Sequence, residues 1–223
     1  MFGLIAYRTE ETPPVQVIDG VRFRAVGVTR GESLRARLSA RAAAGTLRQA
    51  DVRYALFPAD YPYAAPFARC GVVSPPLAPL YRAAAPAIVR RCMMQRGIEA
   101  RHAMVAFAAE RLTPELRRCV TALCRDIRYI ALCIPDGGEG FARALLRDYG
   151  VAARVGRADA LPRPDLFAVF DGTSVPGEAL RLDEALDVAF DSPRPSALLA
   201  LLHRAGRLDA DTLQVKSLTR KPV

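Results

Sequence analysis

Lysine is almost missing from this sequence. Of 32 basic residues in a chain of 223, only Lys216 and Lys221 are lysines, and both fall in the last eight positions, which read as a loose tail. Two chemistries are excluded with them. A Walker-type loop needs a lysine on its phosphates, and no Gly-x-x-x-x-Gly-Lys run occurs. A pyridoxal phosphate enzyme needs a lysine to form its Schiff base. Histidine is as scarce: His102 and His203 are the only two. The five cysteines (Cys70, Cys92, Cys119, Cys124 and Cys133) contain no Cys-x-x-Cys pair. A structural zinc site wants about four such ligands at close spacing, so no zinc is expected. The odd, scattered cysteine set gives no disulfide framework. The Gly-x-Ser-x-Gly and His-Glu-x-x-His motifs are absent as well. No apolar run approaches the roughly 18 residues of a membrane span, and the amino terminus lacks the pattern of a secretory signal. These absences lead us to expect a soluble, cytoplasmic protein that does not engage a membrane.

Arginine and alanine take the place of lysine, a usage that fits GC-rich coding and makes the net charge of +9 a weak guide to function. Its distribution is more informative. Residues 1–128 hold 20 basic residues against 10 acids, whereas residues 129–223 hold 12 against 13. A basic front half attracts nucleic acid, an acidic partner or an anionic ligand.

The hydrophobic pattern alternates between short apolar runs and helical periods. Phe2–Tyr7 reads as a strand, and Val15–Ile18 and Val21–Val26 flank Asp19-Gly20, a two-residue hairpin signal. A helix is predicted over 32–44, with Leu34 and Leu38 on its apolar face and Gly45 as its stop. Strands are predicted at 52–57, 104–108, 129–134, 151–155, 166–170 and 186–190, and helices at 86–96, from Pro114, at 141–149 and at 196–205. Strands alternating with helices predict an α/β fold: a mainly parallel, Rossmann-like sheet with helices on both faces. The hairpin and helix of residues 1–50 form an accessory part packed on a main domain of residues 51–223. The proline-rich stretch near 75–100 is the only weak boundary signal.

Ligands of open parallel sheets bind beyond the carboxyl ends of the strands. If the strands share one sheet, that edge collects Asp60 and Tyr61, then Glu110, Arg111 and Thr113, then Asp136, Gly137, Gly138 and Gly140, and finally Asp171. The glycines permit close backbone approach, and the helix that follows them offers free N–H groups to an anion. Asp136 and Asp171 are placed to accept hydrogen bonds from ligand hydroxyls, and Arg111 or Arg157 to meet ligand charge. By analogy with such folds the expected ligand is small and anionic or nucleotide-like, a nucleotide-type cofactor being one candidate among them.

The segment from Tyr129 to Asp159 resembles the first strand–loop–helix–strand of Rossmann-like folds. Asp136-x-Gly138-x-Gly140 is similar to the Asp-x-Gly-x-Gly core of S-adenosylmethionine-dependent methyltransferases and to the first two glycines of a dinucleotide fingerprint. The resemblance implies a nucleotide-type cofactor at these residues. Arg143 stands where the fingerprint wants a small residue, Pro135 precedes the loop, and Gly156-Arg157 stand where an acid usually meets the ribose; Arg157 suits a 2′-phosphate instead. The runs FPADYPY (57–63) and PDGGEG (135–140) resemble an uncharacterised bacterial protein family, which implies no activity.

Plainer readings stand beside each of these. The glycine loop equally makes a tight strand-to-helix turn that binds nothing. Cys119, Cys124 and Cys133 sit in apolar settings where cysteine packs as a small hydrophobe. Arg37 and Arg41 fall on one solvated helix face, and Tyr61 and Tyr63 are either a stacking platform or a packed loop. The competing function is a non-catalytic interaction protein whose basic half binds nucleic acid or an acidic partner.

Overall fold

In the computed structural model, residues 1–8, 13–183 and 185–220 are described. Lys221 and part of the charged stretch after the first strand lie outside them. The chain forms two compact units, one of Met1–Pro76 with Arg194–Asp209 and one of Leu77–Pro193 with Ala210–Val223. Residues 51–76 thus belong with the amino-terminal hairpin and helix, and the first break falls at the proline pair Pro75-Pro76.

The first unit holds a four-stranded sheet built from β1 (Phe2–Tyr7), β2 (Val15–Ile18), β3 (Val21–Val28) and β4 (Ala55–Leu56), in the order β2-β3-β1-β4. Asp19 and Gly20 both have positive φ, 49° and 76°, as a two-residue hairpin turn requires, and β2 pairs antiparallel with β3. The remaining pairs are parallel. Helix α1 (Leu34–Gln49) starts at Ser33, whose hydroxyl accepts the Ala36 amide.

Two expectations for α1 fail. Leu34 and Leu38 are 74% and 55% exposed, and the buried face is Ala36, Ala40, Ala43, Ala44 and Leu47. That stripe keeps helical spacing, and its small side chains let the helix lie close to the sheet. Gly45 does not stop the helix, because one interior glycine costs only about 1 kcal/mol relative to alanine. The chain leaves the helix at Ala50 and at Asp51, whose φ is 52°. The other face of the sheet buries Val21, Phe23 and Leu56 against Leu198, Leu201 and Leu202 of α7 (Ser196–Arg204). Just before α7, Arg194 reaches back to the hairpin turn, with two nitrogens each 2.8 Å from the Asp19 carboxylate.

The second unit carries a five-stranded, all-parallel sheet of β5 (Met104–Ala108), β6 (Tyr129–Cys133), β7 (Ala153–Val155), β8 (Leu166–Val169) and β9 (Ala179–Arg181). Every residue of β8, and every residue after the first of β5 and β6, is buried, which is why these strands read as unbroken apolar runs. Four helices flank this α/β, Rossmann-like sheet in the chain: α3 (Ala78–Ala83), α4 (Ala85–Gln95), α5 (Pro114–Leu123) and α6 (Gly138–Tyr149). Helix α2 (Ala64–Arg69) belongs to the first unit. The connections β5–β6 and β6–β7 are helical, through α5 and α6, whereas β7–β8 and β8–β9 contain no helix. From these last two connections Ala158, Leu161 and Val175 pack on the face formed by Ala106, Ala108, Ala131, Cys133, Phe167, Val169 and Ala179. A pair of antiparallel strands, β10 (Leu186–Phe190) and β11 (Val215–Arg220), completes the unit. Lys216 lies within β11, so it is part of a strand and not of a loose tail. Among the described residues no helix is long and apolar enough to cross a membrane.

Candidate functional site

The strand order β7-β6-β5-β8-β9 fixes where a ligand would sit. From β5 the chain steps outward to β6 and β7, then returns to the other side of β5 for β8 and β9. The order therefore reverses between β5 and β8, and such a switch point opens a crevice at the carboxyl ends of the strands. A crevice of about 710 Å³ is found there. Ala109 and Glu110 follow β5, Ile134 and Pro135 follow β6, Gly156–Asp159 follow β7, and Thr173–Pro176 follow β8. All of them border it, with Cys133 and Val155 from the strand ends and Glu139 from α6.

Strand β8 is tied to β5 by an aspartate at each end. The Asp165 carboxylate accepts the Met104 amide at 2.8 Å. The Asp171 carboxylate accepts the Glu110 amide at 2.7 Å and both the amide and the hydroxyl of Thr173. Burial alone would raise the Asp171 pKa. The hydrogen bonds from Thr173 and Glu110, aided by the charge of Arg82, outweigh that and hold it below the ordinary carboxylate value. Asp171 is thus a positioning residue. It fixes the Thr173 wall of the crevice against the Glu110 wall, and its oxygens are already engaged.

The remaining predicted residues fall into three groups. Glu110 and Arg157 border the crevice. Two of the three guanidinium nitrogens of Arg157, Nε and Nη2, donate to the Asp159 carboxylate at 3.2 and 3.1 Å, so Arg157 meets any ligand with its charge already paired. Asp136, Gly137, Gly138, Gly140, Arg111 and Thr113 lie near the same edge but do not line the crevice. Arg111 and Asp136 extend the β5–β6 pairing by one bridge, and the Thr113 hydroxyl caps α5 by accepting the Leu116 amide. Gly137 takes φ of 89° at the start of α6, and a Cβ on Gly138 would lie 3.3 Å from Ile134 Cβ. These two glycines make a tight strand-to-helix turn. The turn follows β6, the second strand of the sheet, and not the first strand to which the resemblance assigns it. Finally, Asp60 and Tyr61 follow β4 and so belong to the first unit's sheet. Tyr61 packs there in an aromatic cluster with Tyr7, Phe57, Tyr63 and Phe67, which makes it part of a packed loop.

Sequence reasoning reaches Glu139 and Thr173 as strand-end neighbours but gives them no role, and it misses Asp159 and the Ser174–Pro176 wall. Glu139 stands between the glycines that drew attention, and its position in the first turn of α6 was the available signal. The thiols of Cys119 and Cys133 are poor nucleophiles. Burial pushes Cys133 up to about 11 and raises Cys119 further still. His102 is solvent-exposed before β5, with Glu99 beside it at 3.9 Å. Among the described residues no group of three or more His, Cys, Asp and Glu side chains is placed to hold a metal ion. No protein-family model matches the chain, and no curated protein matches it.

Proposed function

We propose that the second unit binds a small nucleotide-like ligand in the crevice between the β5 and β8 loops. One observation carries this reading: a cavity of about 710 Å³ opens at the switch point of an all-parallel sheet, within the roughly 300–1,000 Å³ usual for small-molecule sites. Ala109, Ile134, Val155, Ala158 and Val175 supply apolar walls suited to a planar ring, while Glu110, Glu139, Thr173 and Ser174 supply polar atoms at its rim. Thermal unfolding of the chain with NAD, NADP, S-adenosylmethionine or ATP tests the reading. A ligand that binds only the native state adds about 2.7 kcal/mol at a hundred times its Kd. Ser174→Trp, which places a large ring at an exposed position of the wall, should abolish that gain. No stabilisation by any of the four, or by adenosine or guanosine without phosphate, would overturn the reading.

A second reading rests on α1. Arg35, Arg37, Arg41 and Arg48 are all exposed on a helix without a single acid, and the first unit holds 13 arginines against 7 acids. Such a face suits nucleic acid or an acidic protein partner. Binding to a short DNA that weakens steeply with salt would favour it, and no binding at low salt would remove the nucleic-acid form.

A further inference from the structure

We propose that the crevice recognises a nucleoside through its hydroxyl and amino groups and discriminates against phosphate. This rests on the crevice being a nucleotide-like site and narrows its ligand class.

The argument begins with the amides. Phosphate sites in sheets of this kind depend on free backbone N–H groups. Four of those bordering this crevice are already engaged. The Ala109 amide donates to Cys133 O, Glu110 to the Asp171 carboxylate, Gly156 to Leu132 O and Thr173 to Asp171. The loop after β5, where a dinucleotide fold would carry its glycine-rich turn, reads Ala109-Glu110-Arg111-Leu112-Thr113 and has no glycine. Its Leu112 amide is given to Asp136 O.

The charges point the same way. Four ionisable side chains of fixed sign border the crevice: Glu110, Glu139, Asp159 and Arg157. Arg157 and Asp159 neutralise each other in a pair whose side chains are 85% and 65% exposed. Glu110 and Glu139 have no side-chain partner among the described residues, which leaves two net negative charges on the lining. Glu139 also occupies the first turn of α6, where its carboxylate already complements the helix dipole and repels a phosphate seeking the same place. The crevice is rich in acceptors and poor in donors and cations. Ribose hydroxyls and ring amino groups are the matching ligand surface.

The test is calorimetric titration of the full chain, at one ionic strength, with adenosine and guanosine and with the mono- and triphosphate of each. The expected result is that at least one nucleoside binds and that its triphosphate binds about tenfold more weakly, a penalty set by like charges meeting at the rim. The Glu110→Gln/Glu139→Gln double variant keeps an acceptor oxygen at each position and removes both charges. It should bring nucleoside and triphosphate to within about threefold of each other, while its circular dichroism stays that of the parent and its Tm falls by no more than about 5 °C from the lost helix-dipole contact. A triphosphate binding as tightly as its nucleoside would overturn this inference and leave the crevice reading standing. A gap that persists in the double variant would overturn the assignment to Glu110 and Glu139. Binding by none of the six would overturn the crevice reading and this inference with it.

Discussion

Asp171 is the residue whose removal has the most traceable consequence. Its carboxylate accepts two amides and one hydroxyl, and Asp171→Ala leaves all three donors without that partner. A typical hydrogen bond is worth about 1 kcal/mol net, and bonds to charged groups up to about twice that or more. The site is only partly buried, so the lower value applies and the sum is about 3 kcal/mol. For a unit of this size that corresponds to a Tm lower by roughly 10 °C. Asp171→Asn keeps one acceptor oxygen but turns an N–H₂ towards donors, so it should lose an intermediate amount, about 1–2 kcal/mol. Urea unfolding followed by circular dichroism measures both, and the m value should be unchanged. The pH dependence provides a separate check. The folded pKa of Asp171 is depressed, so its contribution is complete above the unfolded value near 3.9. It is lost as pH falls through the lower folded value. The parent should therefore lose stability on acidification more steeply than Asp171→Asn. A loss under about 0.5 kcal/mol in Asp171→Ala, with the same acid profile as the parent, would refute the idea that this carboxylate ties the two walls together.

Two further outcomes concern the first unit. A Cβ at Gly3 would lie 2.8 Å from Ala55 Cβ and 3.1 Å from Val52 Cγ1, so Gly3→Ala should cost about 1–3 kcal/mol by overpacking, measured by urea unfolding. Tyr61 has a buried hydroxyl with no partner among the described residues. Burial, with Tyr7 and Tyr63 nearby, pushes its pKa up to about 12. Tyr61→Phe should therefore stabilise the unit by about 1 kcal/mol. It should also weaken the alkaline loss of stability expected between the unfolded value near 10 and about 12, because the raised folded pKa favours the neutral phenol.

Local signals made much of the architecture legible. Asp19-Gly20 specified its turn, Thr113-Pro114 opened a helix, and the apolar runs at 104–108, 129–134 and 166–170 appeared as β5, β6 and β8. Long-range arrangement did not show in the same way. Nothing local distinguishes 52–57 as a strand of a different sheet, and its actual pairing, Ala55–Leu56 against β1, depends on residues about fifty positions earlier. The alanine stripe of α1 was overlooked because leucine is the stronger hydrophobic signal, although close helix–sheet packing favours the smaller side chain. In the site, Glu110 and Arg157 were visible as residues at strand ends. Their partners were not: whether an aspartate such as Asp171 meets a ligand or an amide sixty residues away is decided by tertiary contact alone. The glycines of 137–140 announced a turn, and a turn is what they make.

The division of the first unit across the chain has a consequence for how it is made. Leu198, Leu201 and Leu202 cover one face of its sheet, yet they are synthesised only after the roughly 117 residues from Leu77 to Pro193. At about 5–20 residues per second, the ribosome needs on the order of 6–25 s to reach them. During that interval Val21, Phe23 and Leu56 belong to a nascent sheet that lacks its second cover. The first unit to begin therefore waits through most of the second before it can finish, and a nascent chain released before Arg194 would leave that face open to chaperones or to other nascent chains.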